Sequence, residues 1–388
     1  MTEENKSVKN FPNLRFPGFE GEWETVKLGD ITSWCSGGTP SKENPSFWDG
    51  EIPWISASSM RGHIYSDSEL KITEAGLLKG SRLAKKGSLL ILVRGSMLFN
   101  KIPIGIVSKD VAFNQDVKSI VVNEKSSSEY ILYWFLAFEP TILNIVSGTG
   151  IGAGKLDLKD LKDLEVNIPN LIEQKKVSAF LSLIESRIQT QKKIIEQLET
   201  LMKASRGKLF SQKFRFKDEY GSDFPAWERK KIKEILTIGS GKDYKHLKNG
   251  AIPVYGTGGV ITFVDSFLYD GETVCIGRKG TIDKPLYFNG KIWTVDTLFY
   301  TYSFNNSVPK FVFNIFQNIN WKEYNEASGV PSLSKNTIEK IEISIPCLKE
   351  QHKITNYLSS IEDKIEMEKQ ILEKLELQKK FLLANLFV

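Results

Sequence analysis

Residues 156–210 and 333–387 align without a gap at an offset of 177, and about 21 of the 55 aligned pairs are identical. A repeat of this kind constrains the fold more than any single motif, because each copy must be one structural unit built twice. The match resumes at the head of each half. Trp23-Glu24 stands over Trp227-Glu228 at an offset of 204, and Ile52-Pro53-Trp54 over Ile252-Pro253-Val254 at an offset of 200. Between these points the copies diverge, and the first is longer by 27 residues. Each half is therefore a variable globular part followed by a well-matched helical part. A chain built twice suits a partner with two equivalent sites.

The matched segments read as long helices. Every three or four residues the first presents Val177, Leu181, Ile184, Ile188, Gln191, Ile195, Leu198, Met202, Ser205 and Leu209. The second presents Ile354, Leu358, Ile361, Ile365, Glu368, Leu372, Leu375, Lys379, Leu382 and Leu386. This 3-4 alternation is the seam of a coiled coil. Both seams carry a polar residue at the same repeat position, Gln191 and Glu368, where it lowers stability but specifies register. Ile168-Pro169 and Ile345-Pro346 mark the switch from extended chain to helix, because proline removes a backbone donor. Each helix spans about 38–40 residues, or about 57–60 Å at ~1.5 Å per residue. A DNA turn is about 34–36 Å, so such a rod could hold two modules more than one turn apart.

The 388 residues suffice for two cores, and 41% hydrophobic with 26% charged residues describe a globular chain. The longest apolar run, 131–138, is too short to cross a bilayer. The polar start MTEENKSVKN lacks the apolar stretch of a secretory signal. Cys35, Cys275 and Cys347 are scattered, which suggests neither a disulfide framework nor a zinc site. The expected location is cytoplasmic. The net charge of +5 is unevenly spread, with six basic and no acidic residues between Lys203 and Lys217. That stripe fits a phosphate-backbone partner or a solvated helix end.

The variable modules read as mixed α/β (α+β) domains without the regular alternation of a Rossmann fold. Segments 88–94 and 117–122 in the first, and 273–277 and 298–303 in the second, have the composition of buried strands. Apolar stretches 130–138 and 311–319 could be helices. The loops between carry the side chains that read base edges and hold phosphates. Ser58 and Ser59 correspond to Gly258 and Gly259, beside Tyr255 and Thr257. A strand leads into Arg94-Gly95-Ser96 in one module and into Arg278-Lys279-Gly280-Thr281 in the other. Asn114-Gln115-Asp116 lines up loosely with Thr294-Val295-Asp296. Candidate DNA contacts are thus Arg94, Ser96, Asn114, Gln115, Ser58 and Ser59 in the first module. In the second they are Tyr255, Thr257, Arg278, Lys279, Thr281 and Thr294.

Other signals carry less. The glycine run 148–155 fails the spacing of a P-loop and of G-x-G-x-x-G, and reads as a flexible joint. Glu228-Arg229-Lys230 matches only part of a nuclease motif. His63, His246 and His352 form no cluster that suggests a metal site or a histidine triad.

Taken together, these features resemble the specificity subunit of a type I restriction-modification system. The resemblance rests on Phe16-Pro17-Gly18-Phe19 with Trp23-Glu24, on Gly37-Gly38-Thr39-Pro40-Ser41, and on Ala112-Phe113-Asn114-Gln115-Asp116. In the second half it rests on Phe224-Pro225-Ala226-Trp227-Glu228, Ile276-Gly277-Arg278-Lys279-Gly280-Thr281 and Trp293-Thr294-Val295-Asp296-Thr297. Its strongest element is the duplicated Ile-Pro-x-Leu-x-Glu-Gln before each helix.

The resemblance implies two target recognition domains in tandem (1–166 and 218–343), separated by two long helices (within 167–217 and 344–388) forming an antiparallel coiled coil, with an internal pseudo-twofold repeat. It implies that each domain reads half of a bipartite double-stranded DNA site, and that the chain has no catalysis or cofactor of its own. Two modification subunits would carry S-adenosylmethionine and methylate adenine. Two restriction subunits would use ATP and Mg²⁺. Helix surfaces outside the seams, with Lys192, Lys193 and Arg206, are candidates for docking the modification subunits. A self-sufficient DNA-modifying enzyme and a coiled-coil scaffold without nucleic acid are the competing classes. No membrane partner is expected.

Overall fold

The structure, a computed structural model, describes residues 10–150 and 152–388. The start of the chain read for a leader falls mostly on residues 1–9, and one position of the glycine run is residue 151. Both lie outside the described residues. The chain divides into two compact units, residues 1–191 with 371–388, and residues 192–370. The division falls within both long helices, Leu171–Phe210 and Leu348–Asn385. Each unit thus holds one module, the first part of the helix that follows it, and the last part of the other helix.

Within each unit the two helical parts run antiparallel. In the first, Lys379 donates to Glu185 at 2.5 Å, while Asn167, just ahead of the first helix, donates to the carbonyl of Val388 after the end of the second. In the second, Lys369 pairs with Glu199 and Tyr357 with Ser205, so one helix ascends as the other descends. The seam expected from the heptads is the buried face. Val177, Leu181, Ile184 and Ile188 join the first core with Leu375, Leu382 and Leu386. Met202 and Leu209 join the second with Ile354, Leu358 and Ile361. Gln191 and Ile195 are buried, whereas Leu198, Ile365, Glu368 and Leu372 are half-buried.

The repeated Glu-Gln pair explains how each module is fastened to its helix. Glu173 and Glu350 are buried carboxylates. Arg15 holds Glu173 through Nε at 2.8 Å and Nη2 at 2.9 Å, and Arg215 holds Glu350 through Nε at 3.1 Å and Nη2 at 2.7 Å. Such forked pairs are charge-assisted and directional. The same arginines donate to carbonyls of the arm that precedes each module, at Glu20 and Gly21 in one unit and at Phe224 and Pro225 in the other. The neighbouring glutamine stitches the helix start to the loop before the module's own helix. Gln174 donates to Lys125 and accepts from the Ser127 amide. Gln351 does the same with Asn306 and Val308. These loops lead into Ser128–Ala137 and Pro309–Phe316, the two apolar stretches read as helices.

The expected strands form at Leu89–Leu92 and Val117–Val122 in the first module, and at Tyr269–Gly277 and Leu298–Tyr302 in the second. Leu89–Leu92 is buried along its whole length, as a central strand covered on both faces must be. Among the described residues the first module holds a five-, a four- and a three-stranded sheet, the second one six-stranded sheet. A small antiparallel ladder closes each module against its helix, Glu24–Lys27 with Glu165–Ile168 and Glu228–Lys231 with Glu342–Ile345. The part-nuclease triplet belongs to this ladder, where Lys230 pairs with Glu228 at 2.8 Å.

Two predictions follow from these pairs. Arg215→Ala leaves Glu350 buried without its counter-charge, so the protein should lose about 3–5 kcal/mol in denaturant unfolding. A loss below about 1 kcal/mol would rank the pair with surface bridges. Burial raises the Glu185 carboxyl, but hydrogen bonds from Lys379 and Gln189 outweigh it and hold the group below its ordinary range. A depressed carboxylate contributes stability above its unfolded pKa and loses it as pH falls through the folded value. Glu185→Gln should therefore flatten the acid limb of a stability-versus-pH curve.

Candidate nucleic-acid interface

In each module two strands run parallel and deliver their loops to one end of the sheet. Trp48–Ile55 pairs with Val111–Phe113, aligning Trp54 with Ala112 and Ile55 with Phe113. Asn249–Gly256 pairs with Leu286–Thr294, aligning Val254 with Trp293 and Tyr255 with Thr294. The next amide continues each pairing, with Asn114 donating to Ile55 and Val295 to Tyr255, both at 3.0 Å. Asn114 is therefore the counterpart of Val295. The loose sequence match to Thr294 is off by one.

The arginine loops also need re-registering. The Val93 amide donates to Asp116 and its carbonyl accepts from Leu156, while the Arg278 amide donates to Thr297 and its carbonyl accepts from Leu333. Arg278 thus occupies the place of Val93. Arg94-Gly95-Ser96 is the counterpart of Lys279-Gly280-Thr281. Arg94 pairs across to Lys155 and Lys279 to Ser332 in the same way. Gly95 (φ 153°) and Gly280 (φ 86°) both turn through backbone that favours glycine. The sequence alone equated the two arginines because the second loop arrives one residue later.

The glycine run is not a flexible joint over its described residues. Ser147–Gly148 pairs with Gly154–Lys155, which in turn pairs with Arg94–Gly95. The amide and hydroxyl of Thr149 both donate to Ala153. In the second unit the Asn325 side chain accepts from the amides of Ala327 and Ser332, folding the matching loop back on itself. Gly280 then donates to Pro331 at 2.9 Å.

The proposed contact residues separate into three groups. Arg94 and Gln115 line one open cleft with Asp116, Lys118, Lys155 and Asp157. Arg278 and Lys279 line a second with Ser240, Phe299, Glu326, Ser332, Ser334 and Lys335. Ser96 and Thr281 follow in the same turns. A second group sits on neighbouring loops. Ser58 is exposed and bonds to Ser56, and Ser59 bonds to the buried Ser68. Thr257 approaches Gly280, and Tyr255 packs its ring 4.1 Å from that of Phe288.

The third group is buried. The Asn114 side chain accepts from the amides of Asp116 and Val117, both at 3.1 Å, so it shapes the turn. Thr294 is fully buried and its hydroxyl has no partner among the described residues. Neither presents a side chain to a groove: Asn114 follows the strand Val111–Phe113 and turns its oxygen back onto the chain, and Thr294 ends a strand whose last three residues are buried. Arg206 is half-buried too. Burial lowers its pKa, against the opposing charge of Glu362. Sequence reasoning missed Lys118, Lys155 and Lys335. They lie on a strand, a hairpin and a helix start that carry no motif, and only the fold gathers them.

The family model described as the type I restriction modification DNA specificity domain matches residues 20–200 and again 226–377, one copy per half. The chain belongs to this family. Among its relatives, the EcoR124I/EcoR124II specificity subunit of Escherichia coli is 34% identical over 175 residues, 45% of this chain and 43% of that one. The match thus spans less than half of that relative. The MjaVIII specificity subunit of Methanocaldococcus jannaschii is 26% identical over 421 residues, covering 97% of this chain and 94% of that one. The crystal structure of the S subunit from M. genitalium shares the fold, with a TM-score of 0.64 at 19% identity over 97% of this chain and 99% of that one.

The buried pair of polar residues makes a discriminating prediction. Asn114→Ala should destabilise by about 1–2 kcal/mol by freeing two buried amides, without changing which bases are preferred. Thr294→Val removes a hydroxyl that has no partner, so its unfolding midpoint should hold or rise. A changed DNA preference in either variant would return that residue to the reading surface.

Proposed function

We propose that this chain is the DNA-reading subunit of a type I restriction-modification complex, with each module reading one half of a bipartite double-stranded site. The observation that carries this is the family match falling once on each half, over modules that deliver equivalent loops of different chemistry. Equivalent placement suits two similar half-reactions. Different side chains on the loops suit two different half-sites. Joining two readers in one chain raises the effective concentration of the second once the first has bound.

On this reading the chain is non-catalytic and acts in the cytoplasm. The chemistry belongs to partners: two modification subunits that use S-adenosylmethionine to methylate adenine, and two restriction subunits that use ATP and Mg²⁺. The exposed faces of the long helices are the docking surface for the modification subunits, with Lys193 among the candidates. No described helix is long and apolar enough to cross a membrane.

The test is a module exchange. Replacing residues 218–343 with the corresponding module of another family member should change the methylated sequence in one half-site and leave the other as it was. Changes in both halves would defeat the modular reading. Turnover by the purified chain alone, given DNA, S-adenosylmethionine and Mg²⁺, would defeat the non-catalytic one.

A further inference from the structure

Each of the two clefts gathers three cations, by different means. In the first unit the cations are Arg94, Lys118 and Lys155. In the second they are Arg278, Lys279 and Lys335. The backbone pairings place only Arg94 and Lys279 at equivalent positions. Arg278 stands where the first module has Val93, and Lys118 where the second has Phe299. Lys155 stands where the second has Ser332. Three cations are kept while their positions are exchanged. Reading a base edge depends on one side chain at one place. Holding a phosphate depends on local positive charge.

The acids in these clefts already have partners, and Asp116 accepts from the Gln115 side-chain amide at 3.3 Å. Asp157 accepts from the Lys159 amide at 2.9 Å, capping the helix Leu158–Asp163, and also pairs with Lys155 at 3.2 Å. Glu326 accepts from the hydroxyls of Ser334 and Thr337. The Arg94 side chain is exposed and makes no hydrogen bond or ion pair among the described residues. The Lys118 ammonium rests on the Gln115 carbonyl at 2.7 Å. Burial lowers its pKa, Asp116 opposes this, and the nearby Arg94 lowers it further. Like charges held together in a partly buried cleft gain when an anion enters.

Glycines on the neighbouring loops agree. A Cβ added to Gly148, Gly150, Gly258 or Gly329 would meet nothing within 4 Å, and none of these has a positive φ. The fold itself therefore does not require glycine there. Gly148 and Gly150 belong to the hairpin paired with Arg94–Gly95. Gly329 lies in the loop from Glu326 to Ser332, and Gly258 adjoins Thr257 beside Gly280. A surface pressed by another molecule's backbone does call for missing side chains.

We propose that each cleft is a clamp for a phosphate of the DNA backbone, sequence-independent, and that base reading falls to neighbouring loop side chains such as Ser96 and Thr281. This rests on the reading of the chain as a DNA-recognition subunit. In the assembled complex, Arg94→Ala with Lys155→Ala should weaken binding of a duplex carrying the methylated site by about tenfold or more. The slope of log K against log salt should become shallower by about 0.9 per lost phosphate contact.

The ranking of base substitutions within the half-site should be unchanged. Arg94→Lys should retain most of the affinity, since a point charge suffices for phosphate but not for the fork that reads guanine. Gly150→Ala removes no charge, and should weaken binding while leaving the melting temperature as it was. An altered base ranking with an unchanged salt slope would make these residues base readers and overturn the proposal. Unchanged affinity and slope would remove the cleft from the interface. Failure of the underlying reading looks different, because the wild-type complex would then not distinguish the site from a scrambled duplex.

Discussion

Everything in each unit is referred to a buried carboxylate and its neighbouring glutamine at the start of a long helix. Glu173 and Glu350 have almost no exposure, so each must be matched by a charge, and the arm ahead of each module supplies it through Arg15 or Arg215. The adjacent glutamine has three hydrogen bonds, two to carbonyls and one from an amide, that fix the loop leading into the module's apolar helix. Arm, module and helix cannot shift independently without stranding one of these groups. Buried polar groups of this kind are expensive to leave unsatisfied, and so define one arrangement rather than several.

That fastening separates what must stay alike from what can differ. The arginine–glutamate pairs, the glutamine bonds and the small closing ladders recur at equivalent residues in both units. Aromatic contacts repeat too, as Phe16 on Phe180 and Phe216 on Tyr357. Beyond them, the sheets differ in strand number and the loops in composition, while the backbone still delivers those loops to the same end. A scaffold that holds geometry through its base leaves its loops open to change, the usual arrangement for recognition surfaces.

The legibility of the chain follows the same division. The seam from Val177 to Leu209 was readable because helical burial repeats every three or four residues, and Val117–Val122 because a buried strand concentrates β-branched residues. The repeated Leu-x-Glu-Gln was visible, but its meaning was not. Nothing local tells that Glu173 will meet Arg15, far away in the chain. Asn114 and Thr294 were chosen for their residue type, which is right for a DNA contact and equally right for a buried turn or a strand end. Lys118 and Lys155 were passed over, because a single lysine in a strand or hairpin gives no pattern.

By itself the sequence determined the duplication, the two long helices with their apolar faces, the mixed α/β modules and the family they resemble. All of these rest on periodicity and on repeated words, which are local properties of a chain. Only the tertiary structure decided that Arg94 answers to Lys279 rather than Arg278, that the described ends of the glycine run are paired strands, and which side chains reach a common cleft. Those outcomes depend on strand register, and register is set by hydrogen bonds between residues remote in sequence.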